Sequence, residues 1–195
     1  MSAEKPLPLD FDELLAAEYD YIAETANQAN EDRARVSSFY LIAVGSLVAA
    51  LFSTQLFEPG LFTQTVKIMF SGLFILLTLL GTSTVMQLAR LRAAWYESML
   101  AMNQLKDFMM SQNPELLTAF RWKTSTLPSK YKTGSVSYYQ AIEVALIGGL
   151  MFGAAIFFLQ QAIFPVIGIV NWIVSAISGA LIIYLQLIMY KRVLN

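Results

Sequence analysis

The amino-acid sequence predicts an all-α integral membrane protein with four transmembrane helices in two hairpins, the first extended by an antiparallel cytoplasmic helical stalk. Of its 195 residues, 56% are hydrophobic and only 14% are charged, whereas an average soluble domain is about 25% charged. Long uncharged runs recur along the chain, and Lys and Arg gather on one side of them. A soluble domain of this length leaves much of its surface in water, so lipid is the expected solvent of the apolar runs.

Residues 1–35 are predicted to form a cytoplasmic acidic amphipathic helix. Eight acids and no Lys or Arg lie between Asp10 and Asp32. Asp10 precedes Glu13 by three residues, which is the spacing of a capping box with Asp10 as the N-cap. Apolar residues then recur every three or four positions and define one helical stripe: Phe11, Leu15, Tyr19, Ile22, Ala26 and Ala29. No basic segment leads into a short apolar core, so no cleavable signal peptide is expected.

Residues 36–89 are predicted to form the first transmembrane hairpin. Span one covers residues 36–57 and span two covers residues 68–89, and each is a run of 22 uncharged residues. About 20 residues suffice to cross the hydrocarbon of a bilayer. The sequence Glu58-Pro59-Gly60 is expected to break the helix between them.

Residues 90–138 are predicted to form a cytoplasmic helix followed by a basic connector. The helix carries a second stripe and ends near Asn113, before Pro114: Leu91, Trp95, Ser98, Met102, Leu105 and Met109. Since no helix breaker separates the stripes from the spans, we expect continuous helices over 10–57 and 66–112, each about 70 Å long. The stripes are expected to pack together like a short coiled coil, or else to serve as separate docking sites for a partner.

The connector, residues 113–138, interleaves bases with aromatic residues beside the membrane. Its candidate contacts with lipid headgroups contribute about 1 kcal/mol each near an anionic surface: Arg121, Lys123, Lys130 and Lys132. The same bases also fit the ordinary enrichment of positive charge in cytoplasmic loops. Nucleic acid is not an expected partner, because the bases are few and lie beside an acidic helix.

Residues 139–195 are predicted to form the second transmembrane hairpin. The 47 uncharged residues from 144 to 190 are long enough for two spans, placed near 140–161 (span three) and 167–189 (span four) with a turn around Pro165. Gly149 and Gly153 on span three and Gly179 on span four flatten their helix faces and allow close backbone approach. This small-residue pattern predicts packing of span three on span four, or a contact between subunits.

Orientation follows from the bases. Lys67 is the sole base in the first interspan loop, none lies between spans three and four, and the other 12 of 13 lie on the opposite side. Positive charge favours the cytoplasm, so both termini and the middle segment of this multi-pass cell-membrane protein are predicted to be cytoplasmic.

Polar groups near the spans are the candidate pore or ion contacts. Glu143, the acid nearest to a span, is expected either to bind a cation at a pore mouth or to pair with a base such as Lys132 or Arg192. Span four carries polar residues on one face, which also fit helix–helix hydrogen bonding: Asn171, Ser175 and Ser178.

Residue types required for most catalysis are scarce. The chain has no His and no Cys, which removes the usual bases, nucleophiles and zinc ligands. Phosphate-binding glycine motifs and the GxSxG nucleophile elbow are also absent from the sequence. We therefore predict no catalytic residue, no cofactor, no metal site and no enzymatic activity.

The order of features resembles a known group of proteins. An acidic amphipathic helix leads through Asn30-Glu-Asp-Arg-Ala-Arg35 into Val36-Ser-Ser-Phe39, an apolar hairpin and a cytoplasmic helical return. Over roughly residues 10–112 this order resembles the small bacterial membrane proteins of the SLATT type. The resemblance implies the cell inner membrane and a pore-forming effector in conflict systems. Spans three and four depart from that two-helix unit.

Two functions therefore compete. The first is a non-enzymatic scaffold or assembly subunit that holds a partner protein through its stalk, and the second is an oligomeric pore-forming or ion-conducting effector. Membrane lipids are expected partners in both, together with a second copy of the chain or another protein at the stalk.

Overall fold

The computed structural model describes residues 10–53, 62–164 and 166–195, and every regular element within them is helical. It contains four long helices and two short 3-10 turns: α1 (Phe11–Ser53), α2 (Gln64–Gln112), a turn at Pro114–Leu117, a turn at Thr124–Thr126, α3 (Val136–Ile163) and α4 (Ile169–Leu194). The prediction of an all-α fold is confirmed for these residues.

The four helices are 43, 49, 28 and 26 residues long, and each is long and apolar enough to cross a membrane. About 20 residues would suffice, so α1 and α2 are roughly twice as long as a bilayer requires. The predicted break at 58–60, the end of span one at 54–57, Pro165 and residues 1–9 lie outside the described residues.

Helix ends follow local capping chemistry. The Asp10 carboxylate accepts hydrogen bonds from the backbone N–H of Asp12 (3.1 Å) and Glu13 (3.3 Å), as its predicted N-cap role requires. The Ser135 hydroxyl accepts from the N–H of Tyr138 at 3.2 Å, so α3 begins at Val136, four residues before the predicted span. A side-chain acceptor at these positions satisfies N–H groups that lack a partner within the helix.

Helices α1 and α2 pack along much of their length. The rings of Phe11 and Phe108 are 6.0 Å apart, the hydroxyls of Thr25 and Ser98 are 3.3 Å apart, and the Tyr40 hydroxyl donates to the carbonyl of Leu77 at 3.4 Å. As residue numbers rise along α1, the numbers of their partners fall along α2. The stripe residues Ile22, Ala26 and Ala29 are buried.

Helix α3 packs on both α2 and α4, and several residues of its inward face are inaccessible to solvent. Ala141, Val144, Ala145 and Ala155 of α3 are fully buried. On the α2 side, Phe158 stacks on Phe74 with ring centroids 5.6 Å apart. Small side chains on α3 therefore bring three helices close together, with α1 on the far side of α2.

Candidate functional site

Glycines bring the backbones of α3 and α4 into contact. A Cβ atom at Gly179 would lie 2.6 Å from the carbonyl oxygen of Gly149, and one at Gly153 would lie 3.0 Å from the carbonyl oxygen of Ser175. Such close approach is typical of small-residue contacts between membrane helices. The structure thus places Gly149, Gly153 and Gly179 at a contact within one chain.

Two of the three polar residues predicted on span four also connect α4 to α3. The Asn171 side-chain amide donates to Gln160 Oε1 at 2.7 Å, and Gln160 Nε2 donates to the Ser175 hydroxyl at 3.1 Å. Ser178 is half-buried on the same helix. Hydrogen bonds of this kind hold helices together in lipid, and Gln160, at the end predicted for span three, is the residue that joins the pair.

Glu143 is not part of this group. It is exposed on the outward face of α3, and Gln160 lies further along the same helix by roughly 25 Å. Within the described residues Glu143 forms no salt bridge with Lys132 or Arg192. The four candidate pore residues therefore do not form a single site within one chain.

A buried polar cluster lies instead where α2, α3 and α4 meet. Gln186 is 1% exposed, and its Nε2 donates to the Thr82 hydroxyl at 2.8 Å. Gln186 Oε1 has no hydrogen-bond partner among the described residues. The Thr78 hydroxyl donates to the carbonyl of Gly148 at 3.2 Å, and a Cβ at Gly148 would lie 2.9 Å from Gln186 Nε2. Gly148 thus makes the space that Gln186 occupies.

The cytoplasmic ends predicted for spans one and two hold two arginines that the sequence did not single out. Arg92 is 6% exposed; its Nε donates to the carbonyl of Lys130 at 3.4 Å, and its guanidinium lies 4.3 Å from the centre of the Trp95 ring. Arg33 is half-buried and donates to the Asn30 side chain at 3.0 Å. Their positions next to apolar runs were visible in the sequence, but their burial was not.

Tyrosines surround this end of the helices. The Tyr131 ring lies 6.0 Å from Tyr138 and 6.4 Å from Tyr190, measured between centroids. The Tyr190 hydroxyl is 2.9 Å from the Ser137 hydroxyl, and Lys191 Nζ lies 5.6 Å from the centre of the Tyr131 ring. Tyrosines are enriched at the boundary between lipid and water, so this cluster suits the end of a membrane span.

The four predicted headgroup contacts have different environments. Arg121 and Lys132 are exposed. Lys130 Nζ is 3.5 Å from a carboxylate oxygen of Glu97, and the Lys123 carbonyl accepts from the Asn103 side chain at 3.2 Å. Lys130 therefore has a carboxylate partner, whereas Arg121 and Lys132 form no salt bridge among the described residues.

The described residues hold no metal-binding group, and comparison with known proteins finds no match. Residues 10–53, 62–164 and 166–195 contain no group of three or more Asp or Glu that could hold a metal ion. No protein-family model matches the chain, and no curated protein or solved structure is significantly similar to it. The four long apolar helices define the class, a multi-pass membrane protein.

Proposed function

We propose that this protein is a non-enzymatic membrane scaffold that holds a partner protein through its stalk, defined as residues 11–35 of α1 and 90–112 of α2. The proposal is supported by helix length, because the uncharged runs begin at Val36 and end at Ala89 while both helices continue beyond them. About 25 residues of α1 project past the apolar run, which corresponds to roughly 35 Å. The distribution of Lys and Arg supports a cytoplasmic stalk and cytoplasmic termini in a cell inner membrane.

An exposed apolar surface at the far end of the stalk carries this proposal. Phe11 is 55% exposed, Leu14 is 51% exposed and Phe108 is 41% exposed. The rings of Phe11 and Phe108 are in contact, and Leu14 lies one helical turn from Phe11. We call these three residues the apolar tip. Lipid does not cover apolar side chains that project into water, and clustered exposed apolar groups in water mark binding surfaces.

A groove between the two helices continues from the apolar tip. Its volume is about 460 Å³, and its walls include Leu15, Tyr19, Leu105 and Met109. Two acids, Asp12 and Asp20, and one base, Lys106, also line it, so its lining carries a net negative charge. An amphipathic helix with basic residues beside its apolar face would fit this combination, because such helices insert apolar side chains into grooves between helices.

Site-specific photo-crosslinking of the full chain in intact cells tests the proposal. A crosslinking residue at Leu14 should yield a discrete adduct with one protein, and one at Gln28, an exposed polar position on the same helix, should not. The adduct should disappear in a Phe108→Asp variant that accumulates normally in the membrane. An absent adduct, or one that Phe108→Asp leaves unchanged, would contradict a docking role for the tip.

An oligomeric ion-conducting effector is the second candidate, and one observation favours it. Ser83 and Gln87 are exposed on α2 within span two, along a groove that α2 shares with α1, and Gln87 Nε2 lies 3.5 Å from the Ser83 hydroxyl. Polar groups that face lipid without further partners are unfavourable. In an oligomer this face would turn towards another subunit or a water-filled path.

Ion flux into liposomes containing the purified chain tests this candidate. A pore predicts flux that falls when Gln87 is replaced by Leu, and flux that persists in Glu143→Gln would remove Glu143 from the path. Full incorporation without flux would reject conduction.

A further inference from the structure

The buried Arg92 and the half-buried Arg33, at the predicted membrane boundary, have no acidic partner among the described residues. Arg33 precedes the first residue of span one by three positions, and Arg92 follows the last residue of span two by three. In the described part of the chain the salt bridges are those of Arg35 with Asp32 and of Lys130 with Glu97. Neither Arg33 nor Arg92 takes part in one.

The contacts of these arginines leave most of their donors unused. A guanidinium group has five N–H donors, and Arg92 uses one of them at the carbonyl of Lys130. Arg33 donates from Nη2 to Asn30, while its Nε is buried and has no hydrogen-bond partner among the described residues. A buried charge that lacks a counter-charge is strongly unfavourable, so an anion at this position would be stabilising.

The two positive charges also act on one another. Burial lowers the pKa of both guanidinium groups, the nearby Tyr190 raises it in part, and the charge of Arg33 lowers the pKa of Arg92 further. Arginine nevertheless stays charged at neutral pH, because a guanidinium group is not deprotonated in proteins. Arg33 and Arg92 both lie in the stretch of the antiparallel α1–α2 pair that the Thr25–Ser98 and Tyr40–Leu77 contacts bracket. The packing of these helices therefore brings two positive charges near one another, and neither charge has an acidic partner among the described residues.

We propose that Arg33 and Arg92 together bind a phosphate group at the cytoplasmic membrane boundary. The planar fork of a guanidinium matches the geometry of phosphate oxygens and forms charge-assisted hydrogen bonds with them. The phosphate is either that of an anionic phospholipid headgroup or a free anion. The aromatic surroundings fit a headgroup, because Tyr131 and Tyr190 stand at the same end of the helices and Lys191 adds a third positive charge there.

This site differs from a general attraction of bases to an anionic surface. Arg35 and Arg90 lie two residues from Arg33 and Arg92 on the same helices and are exposed. They carry the same charge at nearly the same depth, but without burial. Replacing them removes equal charge from the membrane boundary and leaves the buried pair intact, which makes them matched controls.

Native mass spectrometry of the full chain in neutral detergent tests the proposal. The chain is titrated with phosphatidylglycerol, phosphatidylcholine or inorganic phosphate. We expect phosphatidylglycerol to bind the native chain more tightly than phosphatidylcholine does. Its affinity should fall at least about tenfold in Arg33→Gln and Arg92→Gln, and about twofold or less in Arg35→Gln and Arg90→Gln, the difference expected when a bidentate charge-assisted contact is lost.

Each outcome decides the proposal. Competition by millimolar inorganic phosphate supports the site with a free anion as its source, and phosphatidylglycerol binding that resists phosphate supports a lipid headgroup. The proposal is overturned if phosphatidylglycerol affinity falls equally in all four variants, or if it does not fall in Arg33→Gln and Arg92→Gln. It is also overturned if neither phosphatidylglycerol nor inorganic phosphate binds. If the circular dichroism of Arg92→Gln shows that this variant does not fold, two other variants decide the proposal. They are Arg33→Gln, at a half-buried position, and Arg92→Lys, which keeps the charge but lacks the planar guanidinium fork.

Discussion

Replacing Gly179 by Ala should destabilise the protein through one added methyl group. The new Cβ would lie 2.6 Å from the carbonyl oxygen of Gly149, a backbone atom that cannot rotate away. Since carbon–oxygen contacts between helices are ordinarily about 3.3–3.6 Å, α3 and α4 must separate by roughly 0.7–1.0 Å. A gap of that size forfeits about a quarter to a half of the dispersion energy of the atoms involved, and overpacking costs about 1–3 kcal/mol. We expect a loss of that order.

The matched control is Gly72→Ala. Gly72 is also helical, but nothing lies within 4 Å of the position its Cβ would take, so alanine there should leave stability unchanged or raise it by up to about 1 kcal/mol. The two variants add the same methyl group and differ only in what it meets.

Unfolding of the full chain by sodium dodecyl sulfate in mixed micelles measures both variants. Trp172 of α4 lies 4.2 Å from Phe157 of α3, between ring centroids, so its fluorescence should report separation of these helices. The reasoning is refuted if Gly179→Ala unfolds within about 0.5 kcal/mol of the native chain, the usual range of neutral changes. An equal loss in Gly72→Ala would refute it as well.

Three further predictions follow from the buried polar groups and the charge distribution. Thr82→Val removes the acceptor of Gln186 Nε2 and should lower the free energy of unfolding by about 1–2 kcal/mol. Adding Gln186→Leu to this variant should recover most of that loss in the same unfolding assay. A double variant as unstable as Thr82→Val would show that the hydrogen bond is not responsible. Tyr40→Phe loses one 3.4 Å hydrogen bond to a helical carbonyl but keeps the buried ring, so unfolding should shift by less than about 1 kcal/mol, and a larger shift would mean that the hydroxyl is essential. A reporter fused after Asn195 should be cytoplasmic and one inserted at Pro59 external, with the reverse pattern inverting the proposed orientation.

The helices and their approximate limits could be predicted from sequence, because each depends on local features. Long uncharged runs located the four apolar helices, and Asp10 located the start of α1. In residues 11–35 of α1, where charged side chains alternate with apolar ones, the spacing of Ile22 and Ala26 identified the buried face. Helix α3 begins four residues before the predicted start of span three, because the span was predicted from apolar length whereas the helix begins at its cap, Ser135.

Inside the spans the sequence carried less information about contacts. A membrane helix is apolar on all sides, so periodicity does not reveal which face packs on a neighbour. The spacing of residues therefore did not predict that Gln186 is buried against Thr82. The one indication in the sequence was that Gln186 does not lie on the helix face that carries Asn171, Ser175 and Ser178. The burial of Arg92 depends on the position of the Lys130 carbonyl, which belongs to a distant loop.

The continuity of α2 has a mechanical consequence. Its 49 residues form a single rigid rod about 70 Å long. Thr78, in the apolar part of this helix, donates a hydrogen bond to α3, and Phe108, near the other end, contacts Phe11 of α1. A force applied at Phe108 must either bend a hydrogen-bonded helix or tilt the portion embedded in lipid. A tilt of about 5° would displace the tip by roughly 3 Å for a 35 Å projection. Events at the two ends of this helix are thus joined by its stiffness, without any hinge between them.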